Sequence, residues 1–142
     1  MKVLKSPLAK HVEATYCLEI GDFHFFENYL IAEFKQGVCV SFSDLKEVYD
    51  LLLDYYNGES YGFISNRINS YSIDVIDMNK HFEKLNQIHT YAIVTYNLSA
   101  KRVLAVEDYY FNLKRERFTS LLAASNWVTN EMAIYKTQIK LK

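Results

Sequence analysis

The sequence predicts an α/β domain: a mixed sheet with an antiparallel N-terminal meander, then parallel βαβ crossovers, with helices packed on the sheet. Three observations predict it. The hydrophobic period changes from two in the first third to about 3.6 in several later stretches. Two-residue connections join the first strands, and such links fold a strand back on its neighbour. Later strands are separated by stretches that hold a whole helix, the length a parallel crossover requires.

In Thr15 to Ile20, Tyr16, Leu18 and Ile20 alternate with Cys17 and Glu19, the pattern of a strand with one face on a core. Gly21-Asp22 turns into a short aromatic strand, Phe23 to Phe26. Glu27-Asn28 turns again into Tyr29 to Lys35, with Leu30, Ala32 and Phe34 on one face and Glu33 and Lys35 on the other. After Gln36-Gly37, Val38 to Phe42 completes the predicted meander. Ser43 or Asp44 then starts a helix, with Glu47 placed to close a capping box. Leu45, Val48, Tyr49, Leu52 and Tyr56 recur at helical spacing until Asn57-Gly58. A strand at Tyr61 to Ser65 follows, then a helix from Ile73 or Val75 to Leu85. His89 to Tyr96 is apolar on both faces, as expected of a central parallel strand covered above and below. Ser99 can cap a helix to Asn112, Glu116 to Thr119 forms an edge strand, and Ser120 to Met132 a last helix. The tail, residues 133–142, fits either a strand or a prolonged helix.

One proline and four glycines leave no linker, repeat or low-complexity tract, so the 142 residues read as a single domain with a core over about 13–132. Sixteen Lys and Arg against seventeen Asp and Glu give a formal charge of −1, which argues against a chain built to coat nucleic acid or an anionic membrane. No segment approaches the roughly 18 apolar residues of a membrane span, and no signal-peptide run follows Met1. A cytoplasmic protein without membrane insertion is expected. Cys17 and Cys39 each lie inside a predicted strand and read as buried free thiols.

Catalytic and cofactor motifs are absent. His11, His24, His81 and His89 are never paired at metal-ligand spacing, the cysteines form no CxxC, and there is no GxGxxG, GxxxxGK[ST] or GxSxG. No metal, cofactor or catalytic residue is therefore assigned; an enzyme would have only unpaired candidates such as His24 with Glu27. Twelve Tyr, nine Phe and one Trp fall mostly on core-facing positions, with no basic stripe to suggest nucleic acid. One tyrosine of each pair, Tyr55-Tyr56 and Tyr109-Tyr110, should reach solvent. Lys114-Arg115-Glu116-Arg117 and Lys101-Arg102, with Glu107 and Asp108 between them, read as a solvated charged face.

One stretch stands apart from the scaffold. Ser65-Asn66-Arg67-Ile68-Asn69-Ser70-Tyr71-Ser72 lies at the carboxyl end of a parallel strand and the amino end of a predicted helix. Ligands of open α/β sheets bind outside the carboxyl ends of the strands, where helix N-termini favour anions. Ser65, Asn66, Arg67, Asn69, Ser70 and Ser72 are thus a candidate switch or binding loop, Arg67 offering a fork for a carboxylate or phosphate. Thr95, Asn97 and Ser99, at the end of the next strand, are the candidate crevice. The same Asn and Ser residues also suit turns and helix caps.

The order of elements over about residues 13–132, a strand meander followed by helix–strand alternation, resembles the STAS domain, the fold of bacterial anti-sigma-factor antagonists and of the cytoplasmic ends of sulfate transporters. Tyr91-Ala92-Ile93-Val94-Thr95-Tyr96 and the run from Lys114 to Val128 are similar to its SpoIIAA-like group, and Ile64 to Ser72 looks like the equivalent segment of stand-alone bacterial proteins in that group. In the anti-sigma antagonists a serine at the start of the helix after the second core strand is phosphorylated, and Ser70 or Ser72 holds the comparable place. The family's Asp-Ser-(Ser or Gly)-Gly pattern is missing, since Asn69 and Tyr71 flank Ser70 and no glycine follows. The resemblance implies a non-enzymatic regulatory module that binds a protein partner through the loop 65–72. The alternative is a binder of a small anionic or amphipathic ligand in the crevice. A homodimer through a sheet edge is a further possibility to test.

Overall fold

Alternation along the three central strands sets the architecture. In the computed structural model, which describes residues 1–141, β1 (Ala14–Leu18), β2 (Gly21–Phe25) and β3 (Tyr29–Phe34) form the antiparallel meander. β3 then pairs in parallel with β5 (Tyr61–Asn66), β5 with β7 (Ile88–Val94), and β7 with β8 (Glu116–Phe118). The six-stranded sheet therefore has the order β1-β2-β3-β5-β7-β8. Helices α1 (Phe42–Tyr55), α2 (Val75–Asn79), α3 (Phe82–Leu85) and α4 (Leu98–Tyr110) lie in its crossovers, and α5 (Leu121–Lys140) follows β8. No described helix is long and apolar enough to cross a membrane.

Each face of the sheet has its own core. Leu30, Ala32, Phe34, Phe63, Tyr91 and Ile93 pack with Val48 and Leu52 of α1, Met78 of α2, Leu85 of α3 and Leu104 of α4. The alternate residues Tyr29, Ile31, Ile64, Ala92 and Val94 pack with Leu121, Ala124, Val128 and Met132 of α5, and with Val3 from the first of two N-terminal 3₁₀ turns (Val3–Lys5 and Pro7–His11). β3 and β5 are buried at every position. The apolar stretch at β7 is covered on both sides for the same reason.

Three local expectations are corrected and one open alternative is decided. Val38 to Phe42 does not extend the meander: β3 already has β2 and β5 as neighbours, so β4 (Cys39–Val40) leaves the sheet and pairs in parallel with β6 (Ser72–Ile73). α1 starts earlier than expected, with Ser41 as N-cap and Asp44 closing the capping box, because the side chain three residues after the cap is the one that reaches back to its N–H. It stops at Asn57-Gly58, both with positive φ. The single helix expected before Leu85 is split at Lys80-His81, where His81 stacks on Phe42. The tail belongs to α5 as far as Lys140, and residue 142 lies outside the described residues.

Cys17 and Cys39 are free and exposed, not buried. β1 carries a helical layer on one face only, and Cys17 points away from it; Cys39 sits on the small outlying sheet.

α5 lies close over β5 at Gly62, where an added Cβ would stand 2.5 Å from Val128 Cγ1, 3.0 Å from Tyr29 Cβ and 3.2 Å from Thr90 Cγ2. Gly62→Ala is expected to lower unfolding free energy by about 1–3 kcal/mol through overpacking. Urea unfolding checks this, and an unchanged midpoint would mean that α5 is free to shift.

Candidate functional site

The loop after β5 lies where two charged clusters meet the sheet from opposite sides. Because side chains alternate, Ser65 and Arg67 turn to the α1–α4 layer and Asn66 to the α5 layer. Arg67 continues the line of β5, its N–H donating to Val94 O at 3.0 Å.

On the α1–α4 side, Glu107 of α4 is the hub. Its Oε1 accepts from Arg67 Nη2 and, at 3.2 Å, from Arg115 Nη2, while its Oε2 accepts the Ile73 N–H at 3.1 Å. Arg115 Nε also donates to Asp108 Oδ1 at 2.7 Å, and Arg117 Nη2 to Asp108 Oδ2 at 3.1 Å. The Arg67 guanidinium lies 4.4 Å from the Tyr71 ring centre, and that of Arg115 lies beside the edge-on pair Tyr91 and Phe111, 5.6 and 5.0 Å from their ring centres. Arg67 Nε and Nη1 and Arg115 Nη1 have no hydrogen-bond partner among the described residues, so the rings take the place of acceptors. Tyr71 shares a hydrogen bond with Ser65, and burial pushes its hydroxyl up to about 12. Both guanidiniums are closed to solvent. This cluster ties the loop to α4 and to the start of β8, and it offers no open fork for an external anion.

On the α5 side, Glu33 of β3 is the hub. Glu33 Oε1 pairs with His24 Nε2 at 3.0 Å, and Oε2 accepts from Val3 N–H at 3.1 Å and Asn66 Nδ2 at 2.8 Å. Asn66 also donates to Met1 O at 2.8 Å and accepts from Tyr96 Oη at 2.6 Å, while Thr15 Oγ1 bonds His24 Nδ1 at 3.0 Å. Burial pushes the Glu33 carboxyl up, but the bonds from His24, Val3 and Asn66 outweigh it and hold it below its ordinary value. His24 therefore pairs with Glu33 rather than Glu27, which sits exposed in the turn before β3.

The predicted loop residues separate accordingly. Ser65, Asn66 and Arg67 are internal; Asn69 Nδ2 bonds Phe34 O at 2.9 Å; Ser72 lies in β6 opposite Cys39. Ser70 is exposed, its N–H donating to Gln36 Oε1 at 2.7 Å. No helix starts there: β6 intervenes, and α2 begins at Val75 under its own cap, Asp74. Asn97 is the N-cap of α4, accepting from Ala100 N–H at 2.8 Å, and Ser99 is exposed on its first turn. Thr95 is buried just beyond β7, its N–H donating to Phe118 O at 3.0 Å.

Sequence reasoning missed Glu107 and Arg115, taken for a solvated face. The signal was present for Glu107, which is in line with Leu104 and Phe111 at helical spacing and so falls on the buried stripe of α4. For Arg115, outside any helix, no periodicity marked it. Among the described residues no group of three His, Cys, Asp or Glu side chains is placed to hold a metal. The apolar gap between α1–α3 and the sheet, about 40 Å³, has room for little more than a water.

Glu107→Gln leaves the enclosed Arg67 guanidinium without its carboxylate and Arg115 with Asp108 alone, and is expected to cost about 3–5 kcal/mol in urea unfolding; a loss below about 1 kcal/mol would show that the Tyr71 ring suffices for Arg67. Glu33 binds its proton less readily in the folded than in the unfolded chain. Its stabilising share is therefore complete above the ordinary carboxyl value of 4.5 and is lost as pH falls below it. Denaturant midpoints measured on either side of that value should drop more steeply toward acid for the wild type than for Glu33→Gln, and parallel curves would sink the assignment. Comparison of the chain with protein-family models, curated proteins and solved structures finds no match in any of the three.

Proposed function

We propose that the chain is a non-catalytic interaction module of STAS type, whose protein partner docks on the outer side of α4 beside the loop 65–72. The observation that carries this is the surface of α4. The helix buries only Leu104 and Glu107 and leaves Leu98, Val103, Val106, Tyr109 and Tyr110 in solvent. Tyr109 is 83% and Tyr110 59% exposed, so both residues of that pair reach outward, where one was expected.

Apolar residues scattered singly over a surface need no explanation, but Val103, Val106 and Tyr110 recur at helical spacing on one helix. Tyrosines in such a row supply large contact area at small entropic cost, which suits a protein interface. α2 runs beside α4, held by Asn79 through Tyr110 O at 2.8 Å and Asn112 N–H at 3.0 Å, and it adds Ile76, 70% exposed. Glu107 fixes the seat: it faces inward from α4 and clamps both Arg67 and the Ile73 N–H, so the helix and the loop form one rigid support. The STAS resemblance supports the regulatory side of this reading, and the absence of catalytic motifs supports its non-catalytic side. Ser70, exposed at the loop's outer turn, is accessible to a modifying enzyme, although a phosphate there would find no helix N-terminus to receive it.

Val106→Glu places a charge in the middle of the α4 row without touching the core. It is expected to abolish stoichiometric capture of a partner from a lysate of the source cells while leaving the melting temperature within the wild-type error. A partner retained equally by Val106→Glu and Tyr109→Ser would refute docking on α4.

A further inference from the structure

A second feature, independent of the α4 surface, lies at the carboxyl ends of β7 and β8. There a crevice of about 340 Å³ opens between α4 and α5, lined by Thr95, Lys101, Arg117, Thr119 and Ser120, with Phe118 and Ala123 as its apolar part. It contains two cations, three hydroxyls and no acidic side chain. We propose that this crevice binds a phosphate group.

Three observations converge on that ligand. Thr95 is only 3% exposed and lines the crevice, and its hydroxyl, which bonds no other group among the described residues, is open to that space rather than sealed in the core. The first turn of α5, a helix of 20 residues, forms one wall. Its N-cap Ser120 satisfies the Ala123 N–H at 3.2 Å, while the N–H groups of Leu121 and Leu122 remain without an intrahelical acceptor. Lys101 from α4 carries no ion pair among the described residues, and Arg117, 53% exposed, contributes a second positive group while pairing with Asp108 outside the crevice. An anion with several acceptor oxygens meets all of these donors together, and a tetrahedral phosphate has the geometry to bond the Thr95 hydroxyl, an N–H at the helix start and a cation at once. A neutral or cationic ligand would leave the cations and the helix end unanswered.

The fold places the site. Parallel strands deliver the starts of their following segments to one end of the sheet, so the residue after β7 and the first turn after β8 come together there. The Thr95 N–H bond to Phe118 O holds the two strand ends in register and fixes the floor of the crevice.

The test is a titration of the full chain with inorganic phosphate, at constant ionic strength set with sodium chloride, followed by backbone amide resonances. Saturable shifts are expected at Thr95, Thr119, Leu121 and Leu122. Thr95→Val keeps shape and burial but removes the hydroxyl, and should weaken phosphate binding about tenfold. Lys101→Gln, an exposed substitution that leaves the core untouched, should weaken it severalfold and guards against a folding effect of Thr95→Val. A second arm measures sedimentation with phosphatidylcholine vesicles with and without phosphatidic acid. Sedimentation that requires phosphatidic acid and is lost in Lys101→Gln assigns the phosphate to a lipid headgroup; phosphate binding without sedimentation assigns it to a soluble phosphorylated ligand. Shifts that do not saturate, or that are the same in both variants, would overturn the site.

Discussion

Two-sided burial of β3, β5 and β7 is the constraint on which the other features rest. A strand covered on both faces has no solvent side to which a polar residue can turn, so its polar side chains bond within the protein or, like Thr90 Oγ1 of β7, go without a partner among the described residues. Glu33 and Asn66 solve this on one side of the sheet and Ser65 and Arg67 on the other. The two clusters follow from a single alternation carried through adjacent strands.

Each cluster also joins segments distant in sequence. Glu33 gathers the N-terminal turn through Val3, the meander through His24 and the second parallel strand through Asn66. Glu107 gathers the loop after β5, the start of β6 and the approach to β8. Desolvating such charges is costly, and a well-packed apolar set could be as stable. What the charges provide is directional fixing: a guanidinium held against a ring and a carboxylate, as Arg67 is by Tyr71 and Glu107, has one orientation, whereas an aliphatic side chain in the same space has several. The loop 65–72 is held in that manner, which is why its internal polar residues serve the architecture, and the two proposed surfaces lie beside it, on α4 and at the ends of β7 and β8.

The two surfaces differ in chemistry because they sit at different places on the same crossover. The body of α4 turns a row of valines and tyrosines to solvent, while its first turn brings Lys101 to the sheet end, where β8 and α5 add donors. Helix bodies present side chains and helix starts present N–H groups, so an apolar contact and an anion contact can coexist on one helix without competing.

The sequence by itself determined the fold class, the antiparallel beginning, the parallel continuation and nearly all the strand positions, because hydrophobic period and connection length are local quantities that record how many faces a segment buries. It also carried the placement of Thr95 at a strand end and, unread, the inward position of Glu107 on the stripe of Leu104 and Phe111. Only the tertiary structure decided that Val38 to Phe42 leaves the sheet, since whether a strand edge is free depends on β5 arriving from farther along the chain. It alone decided the partners of His24, Arg67 and Arg115, which stand on other elements and are brought near by packing. Exposure of Cys17 was decided there too: alternation shows that a strand has two faces, but whether a helix covers the second depends on where α5 comes to rest.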